Sequence, residues 1–378
     1  MLAPERQQQA ARTWRLFCER LADAGDQLLR QDFPIQDLDV AEGLRYLTHL
    51  TFASIQRNLV GADPGRPQLY LLCDERIKSG GDNPDNRYYV ASVSAAHEYL
   101  LSADLRGCTY YSVIALDKKE MTSGLTAEER ERRAAAARLD SDTLATNADG
   151  TVNIGISRLP GSTQNHLPID ERTNLIIVRC TIEDLSAPPI SITLKRTDAG
   201  ESGGTPSLEG MSASLASVAE HVLETASFFG DWTASFQAHV NELPLGDQGY
   251  IRSTGGDPNI LYYLSAWQVA ADQALVIRLA ELPPCRAWNF QLCNVWMESL
   301  DYTRARVHVN GSTVRRDFDG GITLVIAASD PGHPNWLNTT GHTSGTMCMR
   351  LTGAAYPAVA HASLMSLQAA RELGRGRP

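Results

Sequence analysis

Two similar segments, GGDNPDNRYYVASVSAAHEYLL and GGDPNILYYLSAWQVAADQALVI, begin at Gly80 and Gly255 and constrain the fold more than any other feature of the chain. Each segment opens with a Gly-Gly-Asp turn that also contains Pro and Asn. Each continues with a Tyr-Tyr pair and a run of small residues, and then reaches a carboxylate. A pattern of a turn followed by a strand that occurs twice in the same order indicates an internal duplication of one β unit.

Further pairs of segments extend the predicted alignment of the two copies. CTYYS (residues 108–112) is aligned with CRAWN (285–289), and TNLIIV (173–178) with GITLVI (321–326). Each copy then reaches an acid, Asp184 or Asp330, and a strand that ends in a base, Arg196 or Arg350. In this alignment the second copy has eight more residues between acid and base, all within the loop 330–345. A longer loop on a rigid β scaffold is a frequent place for a functional site.

The pattern of apolar residues predicts a mainly β fold with added helices. Short runs rich in β-branched and aromatic residues are separated by Gly, Pro, Asn and Asp, which is typical of strands and turns. Strands do not alternate one by one with helices, so two related jelly-roll-like antiparallel β-sandwich units fit better than a parallel sheet. The predicted domains are an N-terminal helical segment (1–62), a first β unit (63–196), a linker and helical insert (197–250), and a second β unit with a C-terminal helix (251–378).

Several individual elements are predicted within these domains. Asp39 is predicted to cap a second helix that runs to about residue 59. Residues 126–139 are expected to form an exposed helix or a mobile insertion, and residues 197–206 a polar linker. A helix is expected near 360–373, at the end of the chain.

Composition and charge exclude several classes of partner. The formal net charge of −10 and the pI near 5.4 argue against nucleic acid and anionic membranes as partners. The seven cysteines are scattered and form no Cys-x-x-Cys motif, which favours a reducing compartment. No signal peptide and no long apolar span is evident, so we expect a cytoplasmic protein whose partner is a small molecule. Whether it forms a homo-oligomer is left open.

The loop 330–345 contains the candidate catalytic residues His333, His342 and Asp330. Imidazoles titrate near neutral pH and suit acid/base work, and Asp330 could orient one of them or act as a base. The alternative is structural, because Asp before Pro-Gly commonly caps a turn and each imidazole could satisfy loop carbonyls. The spacing of the two histidines does not indicate a metal site, and no nucleotide-binding motif occurs, so neither a metal nor another cofactor is predicted.

Four further residues are candidates for substrate binding. Trp336 and Asn335 belong to the same loop, Arg350 could hold an anionic group through two hydrogen bonds, and Tyr263 could line an aromatic pocket. The alternatives are an ion pair for Arg350 and a place in the β core for the aromatic residues.

The second half also resembles a known family. The resemblance is carried by WMESLD (296–301), VNG (309–311), DGGITLV (319–325) and DPGHPNWLNTTGHTSGTMCMR (330–350). These stretches are similar to the domain-of-unknown-function family 1214, and the first half loosely resembles its frequent companion, family 1254. The resemblance implies a pair of related jelly-roll β-sandwich domains with added helices, and it implies no activity.

These observations together predict an enzyme without a redox cofactor, a lyase or hydrolase, that acts on a small, partly apolar organic molecule by acid/base chemistry. The alternative is a non-catalytic protein that binds a carbohydrate or a hydrophobic ligand. A third interpretation is a structural protein in which the repeat faces pack together.

Overall fold

The computed structural model describes residues 3–29, 35–117, 126, 128–129, 131, 137–184, 186–198 and 207–375. It is mainly β, with four sheets arranged as two related units and with helices before, between and after them. The predicted fold class is therefore confirmed.

The helices form three groups along the chain. α1 begins with Pro4 in the first turn, where the missing N–H of proline costs nothing. None of the described helices combines the length and the apolar character that are needed to cross a membrane. The helices are α1 (Pro4–Asp23), α2 (Asp37–Ile55), α3 (Leu208–Ser235), α4 (Gln248–Ser253) and α5 (Leu367–Arg375), with 3-10 turns at Ala24–Leu29 and Phe236–His239 and a π turn at Gln56–Val60.

The first β unit consists of two sheets with the strand orders β1-β2-β8-β4-β5 and β7-β6-β3-β9. Residues from both sheets, among them Val113, Leu101 and Ile154, form one buried apolar core. The strands are β1 (Tyr70–Leu71), β2 (Asn86–Ser92), β3 (Tyr99–Asp104), β4 (Tyr110–Leu116), β5 (Arg138–Asp140), β6 (Thr151–Ser157), β7 (Asn165–Pro168), β8 (Leu175–Thr181) and β9 (Ser191–Arg196).

The second β unit has the strand orders β10-β16-β12-β13 and β15-β14-β11-β17. Its core is also formed between two sheets, with Trp267, Phe290 and Met349 from one sheet and Ile277 and Leu324 from the other. The strands are β10 (Ile260–Gln268), β11 (Gln273–Leu279), β12 (Ala287–Cys293), β13 (His308–Asn310), β14 (Ile322–Ala327), β15 (Trp336–Asn338), β16 (Ser344–Thr352) and β17 (Ala360–Ser366).

The two units are duplicates of one topology. If β2 is matched to β10 and each later strand to its successor, both sheets of the first unit reproduce the strand orders of the second, apart from the added β1. Even the parallel pairs agree, because β6 pairs with β7 as β14 pairs with β15. The internal duplication is thus present in the fold, and CTYYS and CRAWN both lead into equivalent strands, β4 and β12.

The rest of the predicted alignment was wrong. TNLIIV leads into β8, whose counterpart is β16, whereas GITLVI belongs to β14, whose counterpart is β6. The segment between β14 and β16 therefore corresponds to the segment between β6 and β8, which is no shorter. The loop 330–345 is not an insertion. Short apolar strands resemble one another too closely for such segments to reveal the register.

Three predicted elements differ from the structure. The N-cap of α2 is Gln36, and Asp39 lies at the third helical position, where its Oδ2 accepts a 2.9 Å hydrogen bond from the Gln36 amide. Residues 360–366 form β17, which pairs with β11 before α5 begins. The predicted insertion at 126–139 ends differently, because Arg138 and Leu139 belong to β5, and half of its residues lie outside the described part of the chain. Most of the predicted linker at 197–206 also lies outside it.

Each repeated Gly-Gly-Asp turn packs against the sheet of the other unit. Asp257 of the second turn accepts hydrogen bonds from Arg179 (2.8 Å) and Ser112 (2.7 Å) in the first unit. In the reverse direction, Arg350 of the second unit donates a 2.7 Å hydrogen bond to the Gly81 carbonyl, and Ser299 donates to Asp82. The repeated motif is thus a reciprocal junction between the two units.

Candidate functional site

The loop 330–345 is held together by its own hydrogen bonds at its N-terminal end. Asp330 is exposed, and its Oδ1 accepts a 2.7 Å hydrogen bond from the Gly332 amide. His333 is only 4% exposed, and its Nδ1 accepts a 3.1 Å bond from the Asn335 amide. Trp336 donates its indole N–H to the Ala327 carbonyl at 2.9 Å. These contacts give each of the predicted site residues a turn or packing role.

Asn335 makes three hydrogen bonds that an equivalent residue of the first unit also makes. Its side-chain amide donates to the carbonyls of Arg315 (2.7 Å) and Thr323 (2.9 Å), and its Oδ1 accepts from the Arg315 amide (2.8 Å). Asn165, the first residue of β7, makes the same three bonds to Ala145 and Asn153. A contact present in both units belongs to the scaffold that they share.

Arg350 and Tyr263 are both buried within the protein. Arg350 is 7% exposed and donates to Gln291 Oε1 and to the Gly81 carbonyl, each at 2.7 Å. Tyr263 is 1% exposed, and its hydroxyl donates to the Ala358 carbonyl at 3.0 Å. The structure uses the first at the junction between units and the second in the core of the second unit.

His342 differs from the rest of the loop because it contacts a helix distant in sequence. Its Nδ1 lies 3.0 Å from the Thr339 carbonyl, and its Nε2 lies 2.8 Å from Glu42 Oε2 of α2. Both neighbours are hydrogen-bond acceptors, so both ring nitrogens carry a proton in this arrangement. Burial lowers the pKa of His342, but the hydrogen bond to Glu42 and its negative charge outweigh burial and raise the pKa above 6.5.

The pKa values of the two acids beside His342 are shifted in opposite directions. Burial acts to raise the pKa of Glu42, but hydrogen bonds from His342 and from Asn294 lower it to about 2. Burial raises the pKa of Asp39, against the opposing effects of the Gln36 amide and of His342. Asp39 is fully buried, and its Oδ1 has no hydrogen-bond partner. Ligand atoms of Asp39, Glu42 and His342 all lie within 4.8 Å of one another.

The polar contacts continue along one face of α2. His49 Nδ1 lies 2.7 Å from Glu298 Oε1, and the Asn294 amide donates to Glu42 Oε2 at 2.9 Å. Sequence reasoning did not identify Asp39, Glu42 and His49 as site residues. Their spacing of three and seven residues, which places them on one helix face, was the available signal. The buried partners on that face, Asn294 and Glu298, come from the loop after β12.

A cavity of about 450 Å³ lies on another side of the second unit. It is enclosed by the end of α3, by the turn that leads to α4, and by β10. Aromatic and aliphatic side chains form most of the lining, together with two carboxylates and one imidazole. The lining residues are Asp231, Trp232, Ser235, Phe236, His239, Pro244, Leu245, Gly246, Asp247, Tyr250, Ile251 and Leu264.

The aromatic wall of the cavity is fixed by contacts between rings. Trp232 packs edge-to-face with Tyr250, with centroids 5.6 Å apart and planes at 76°, and it also contacts Phe236 at 6.0 Å. Behind it, Phe228 and Phe229 join the buried apolar cluster that α3 forms with β10. These contacts restrain the side chains of the wall, so its shape does not depend on a bound molecule.

The polar part of the cavity contains a histidine paired with a carboxylate. His239 Nδ1 lies 3.0 Å from Glu242 Oε2, and both side chains are more than half exposed. Asp247 accepts a 3.0 Å hydrogen bond from the Tyr250 amide and caps α4. The contact with Glu242 involves only one ring nitrogen of His239, which is the arrangement that orients an imidazole for proton transfer.

Comparisons with known proteins agree with the fold and provide no activity. Residues 268–355 match the family described as protein of unknown function (DUF1214). A putative uncharacterized protein from Burkholderia cenocepacia has 38% identity and a TM-score of 0.88, over 94% of this chain and 97% of that one. The VPA0106 protein from Vibrio parahaemolyticus has 13% identity and a TM-score of 0.50, over 85% of this chain and 97% of that one. No curated protein matches the chain.

The family match covers only part of the candidate site. It includes the loop with Asp330, His333 and His342, but not α2 or the residues that line the cavity. The resemblance of the first half to family 1254 stays a prediction. The Vibrio parahaemolyticus protein shares the fold alone.

Proposed function

We propose that this chain, which belongs to the same protein family as the Burkholderia cenocepacia protein, binds a small, partly apolar organic molecule in the cavity between α3, α4 and β10. We propose further that it transforms this molecule by acid/base chemistry in the cytoplasm, as a hydrolase or lyase. The observation that carries the proposal is a cavity with a restrained aromatic wall that is also lined by His239, whose imidazole is paired with Glu242.

The dimensions of the cavity support a small ligand. Ligand pockets commonly have volumes of roughly 300–1,000 Å³, and about 450 Å³ falls within that range. The faces of Trp232 and Tyr250 would cover a flat or aliphatic group, since aromatic side chains provide large contact areas. The carboxylates at the rim disfavour an anionic ligand and favour a neutral or cationic one.

His239 is the proposed acid/base group. Glu242 holds its Nδ1 at 3.0 Å, and Nε2 would accept a proton from water or from a carbon–hydrogen bond of the ligand. Proton abstraction from water would produce a hydrolase, and abstraction from carbon with loss of a leaving group would produce a lyase. We place the chemistry at His239 and not at Asp330 and His333, because those two side chains already accept hydrogen bonds from backbone amides of their own turns.

The alternative is binding without catalysis. The solvent exposure of His239 and Glu242 favours it, because general bases usually work in sites from which water can be excluded. A carbohydrate or apolar ligand could use Trp232 and Tyr250 without any proton transfer.

The test combines a binding probe and a reaction probe. Binding of the uncharged dye N-phenyl-1-naphthylamine would be measured by fluorescence, and turnover with a panel of 4-nitrophenyl esters of increasing acyl length. We expect Trp232→Ala to abolish saturable dye binding and ester turnover together. His239→Gln should retain dye binding and lower turnover by about 10²–10⁴-fold, the usual contribution of general acid–base catalysis.

His361→Gln is the matched control, since His361 is an exposed strand residue outside the cavity. Saturable dye binding without turnover by the wild type would favour the binding protein, and turnover that His239→Gln leaves unchanged would contradict the acid/base role of His239. If the Trp232→Ala variant still binds the dye saturably, the dye binds outside this cavity. That result would contradict both the enzyme and the binding protein that are proposed for it.

A further inference from the structure

We propose that Asp39, Glu42 and His342 form a binding site for one divalent transition-metal ion, which joins α2 to the second β unit. This site is separate from the cavity, and the inference does not depend on the proposed function.

The donor atoms have the distances and types that such an ion needs. One imidazole nitrogen and two carboxylates contribute atoms that all lie within 4.8 Å of one another. Ligands bound to a common ion at roughly 2.0–2.2 Å must lie about 4.4 Å apart or less, so only a small inward adjustment is required. Glu42 Oε2 and His342 Nε2 are already 2.8 Å apart.

An unpartnered oxygen points to a missing ligand. Asp39 is fully buried, and its Oδ1 accepts no hydrogen bond, although its Oδ2 accepts one from the Gln36 amide. A buried carboxylate oxygen without a partner has lost its hydration with no hydrogen bond to compensate, which is energetically unfavourable. A cation bound beside Asp39 would remove that cost.

The surrounding residues orient the ligands as outer-shell residues of metal sites do. The Nδ1 of His342 faces the Thr339 carbonyl at 3.0 Å, which directs Nε2 toward the acids. Asn294 donates to Glu42 Oε2 at 2.9 Å, and Arg45 donates to the other oxygen, Oε1, at 3.0 Å. Arg45 is the one neighbouring cation in direct contact with these ligands among the described residues, and its side chain is half exposed.

The charge of a divalent ion also suits the donor set. Two carboxylates and a neutral imidazole carry two negative charges, and the half-exposed Arg45 offsets part of the charge of Glu42. One M²⁺ supplies the remaining positive charge, and its bond to Nε2 of His342 takes the place of a proton. Binding must therefore displace the Nε2 proton, and affinity should increase with pH.

The mixed nitrogen and oxygen donors favour Zn²⁺ or Mn²⁺. An imidazole is a good ligand for transition metals, whereas Ca²⁺ and Mg²⁺ prefer oxygen donors alone. The absence of a cysteine from the donor set disfavours a thiolate-type structural zinc site.

The test uses the full chain, treated with a chelator and then titrated calorimetrically with ZnCl₂ or MnCl₂, with MgCl₂ for comparison. We expect one Zn²⁺ or Mn²⁺ per chain and at least 10-fold weaker binding of Mg²⁺. Asp39→Asn and His342→Gln should each weaken binding by about 10-fold or more, since even outer-shell changes cause such losses. His361→Gln should bind as the wild type does.

X-ray absorption of the zinc-loaded wild type keeps the inference testable if the variants do not fold. We expect one imidazole and only nitrogen or oxygen neighbours. Sulfur neighbours, no saturable binding, or equal binding by wild type and a folded His342→Gln variant would each overturn the proposal.

Discussion

The two β units share one strand order but differ in what covers them. The core of the first unit, which includes Leu101 and Ile154, contains no helical residue among those described. The second unit contributes Trp296 to an apolar cluster with α2 and α3, and Tyr262 and Leu264 to another with the end of α3. The candidate sites occur where the two units differ. Duplication therefore explains the scaffold, and the added helices explain the sites.

Both units contribute equivalent residues to the junction between them, but these residues have different hydrogen-bond partners. Arg179 and Arg350 occupy equivalent positions, because Arg179 faces Tyr88 across the β2–β8 pair as Arg350 faces Tyr262 across the β10–β16 pair. Arg179 contacts the carboxylate of Asp257, whereas Arg350 donates to two neutral oxygens, Gln291 Oε1 and the Gly81 carbonyl. The same position thus uses a buried ion pair in one unit and neutral hydrogen bonds in the other.

The largest effect is expected at the charged half of the junction. Asp257→Asn should lower the free energy of unfolding by about 3–5 kcal/mol, because it leaves the buried Arg179 without a counter-charge. At the neutral half, Asn83→Ala removes the hydrogen bonds that Asn83 Oδ1 accepts from the Asn289 side chain and from the Asp85 amide, and it should cost about 1–3 kcal/mol. Urea unfolding followed by both circular dichroism and fluorescence would measure the two values.

A double variant tests whether the pair itself causes the loss. Asp257→Asn combined with Arg179→Met should be more stable than Asp257→Asn alone, because the buried uncompensated charge is removed and the other cation beside Asp257, Arg138, is partly exposed. Equal losses for Asp257→Asn and Asn83→Ala would mean that the two halves of the junction do not differ in energy.

The paired glycines provide a smaller and more local comparison. Gly80 and Gly255 both have positive φ, 55° and 92°. A Cβ at Gly80 would lie 2.2 Å from Phe229, whereas nothing lies within 4 Å of one at Gly255. Gly255→Ala should cost about 1–2 kcal/mol for its left-handed backbone, and Gly80→Ala should cost that plus about 1–3 kcal/mol of overpacking.

Thermal unfolding of the two alanine variants would measure the difference. Phe229→Leu, which removes the ring that lies against Gly80, is the control. It should partly rescue Gly80→Ala and have no such effect on Gly255→Ala. Similar losses for both alanine variants would show that the ring of Phe229 moves aside without cost.

The sequence predicts the kinds of elements better than their pairing. The alternating runs and the repeated turn at Gly80 and Gly255 correctly predicted two β units. They could not predict register, because β7 and β15 are strands of four and three residues whose partners follow from tertiary contacts. Asn165 and Asn335, which make equivalent hydrogen bonds, would have aligned the units correctly, but a single Asn carries little signal.

The candidate site was harder to predict for a similar reason. His342 was identified from the sequence, but its partner Glu42 lies 300 positions away on α2. Nothing in the local pattern of either residue indicates that contact. The cavity was also missed, because Trp232 and Tyr250 come from two separate helices that meet only in the folded chain.

The smallest effect is expected for the pH dependence of the stability that the His342–Glu42 contact contributes. This contact joins α2 to the second unit and has no counterpart described in the first. The pKa of His342 is raised above 6.5, so its contribution to stability is complete below pH 6.5 and is lost as the pH rises through the folded-state pKa. The pKa of Glu42 is lowered from 4.5 to about 2, so its contribution is present above pH 4.5 and is lost toward pH 2. The pair therefore stabilises the fold most between about pH 4.5 and 6.5.

Unfolding by urea with a chelator present, at pH 5.5 and again at pH 9, would measure this effect. The difference in free energy between wild type and His342→Gln should be larger at pH 5.5 than at pH 9. His361→Gln is the control and should show no such change. The first unit has Thr173 near the position that corresponds to His342, so Thr173→Ala should also be insensitive to this pH change. A constant difference for His342→Gln would mean that its ion pair with Glu42 adds no stability, and that apolar packing and the other polar contacts, such as His49 with Glu298, hold α2 to the second unit.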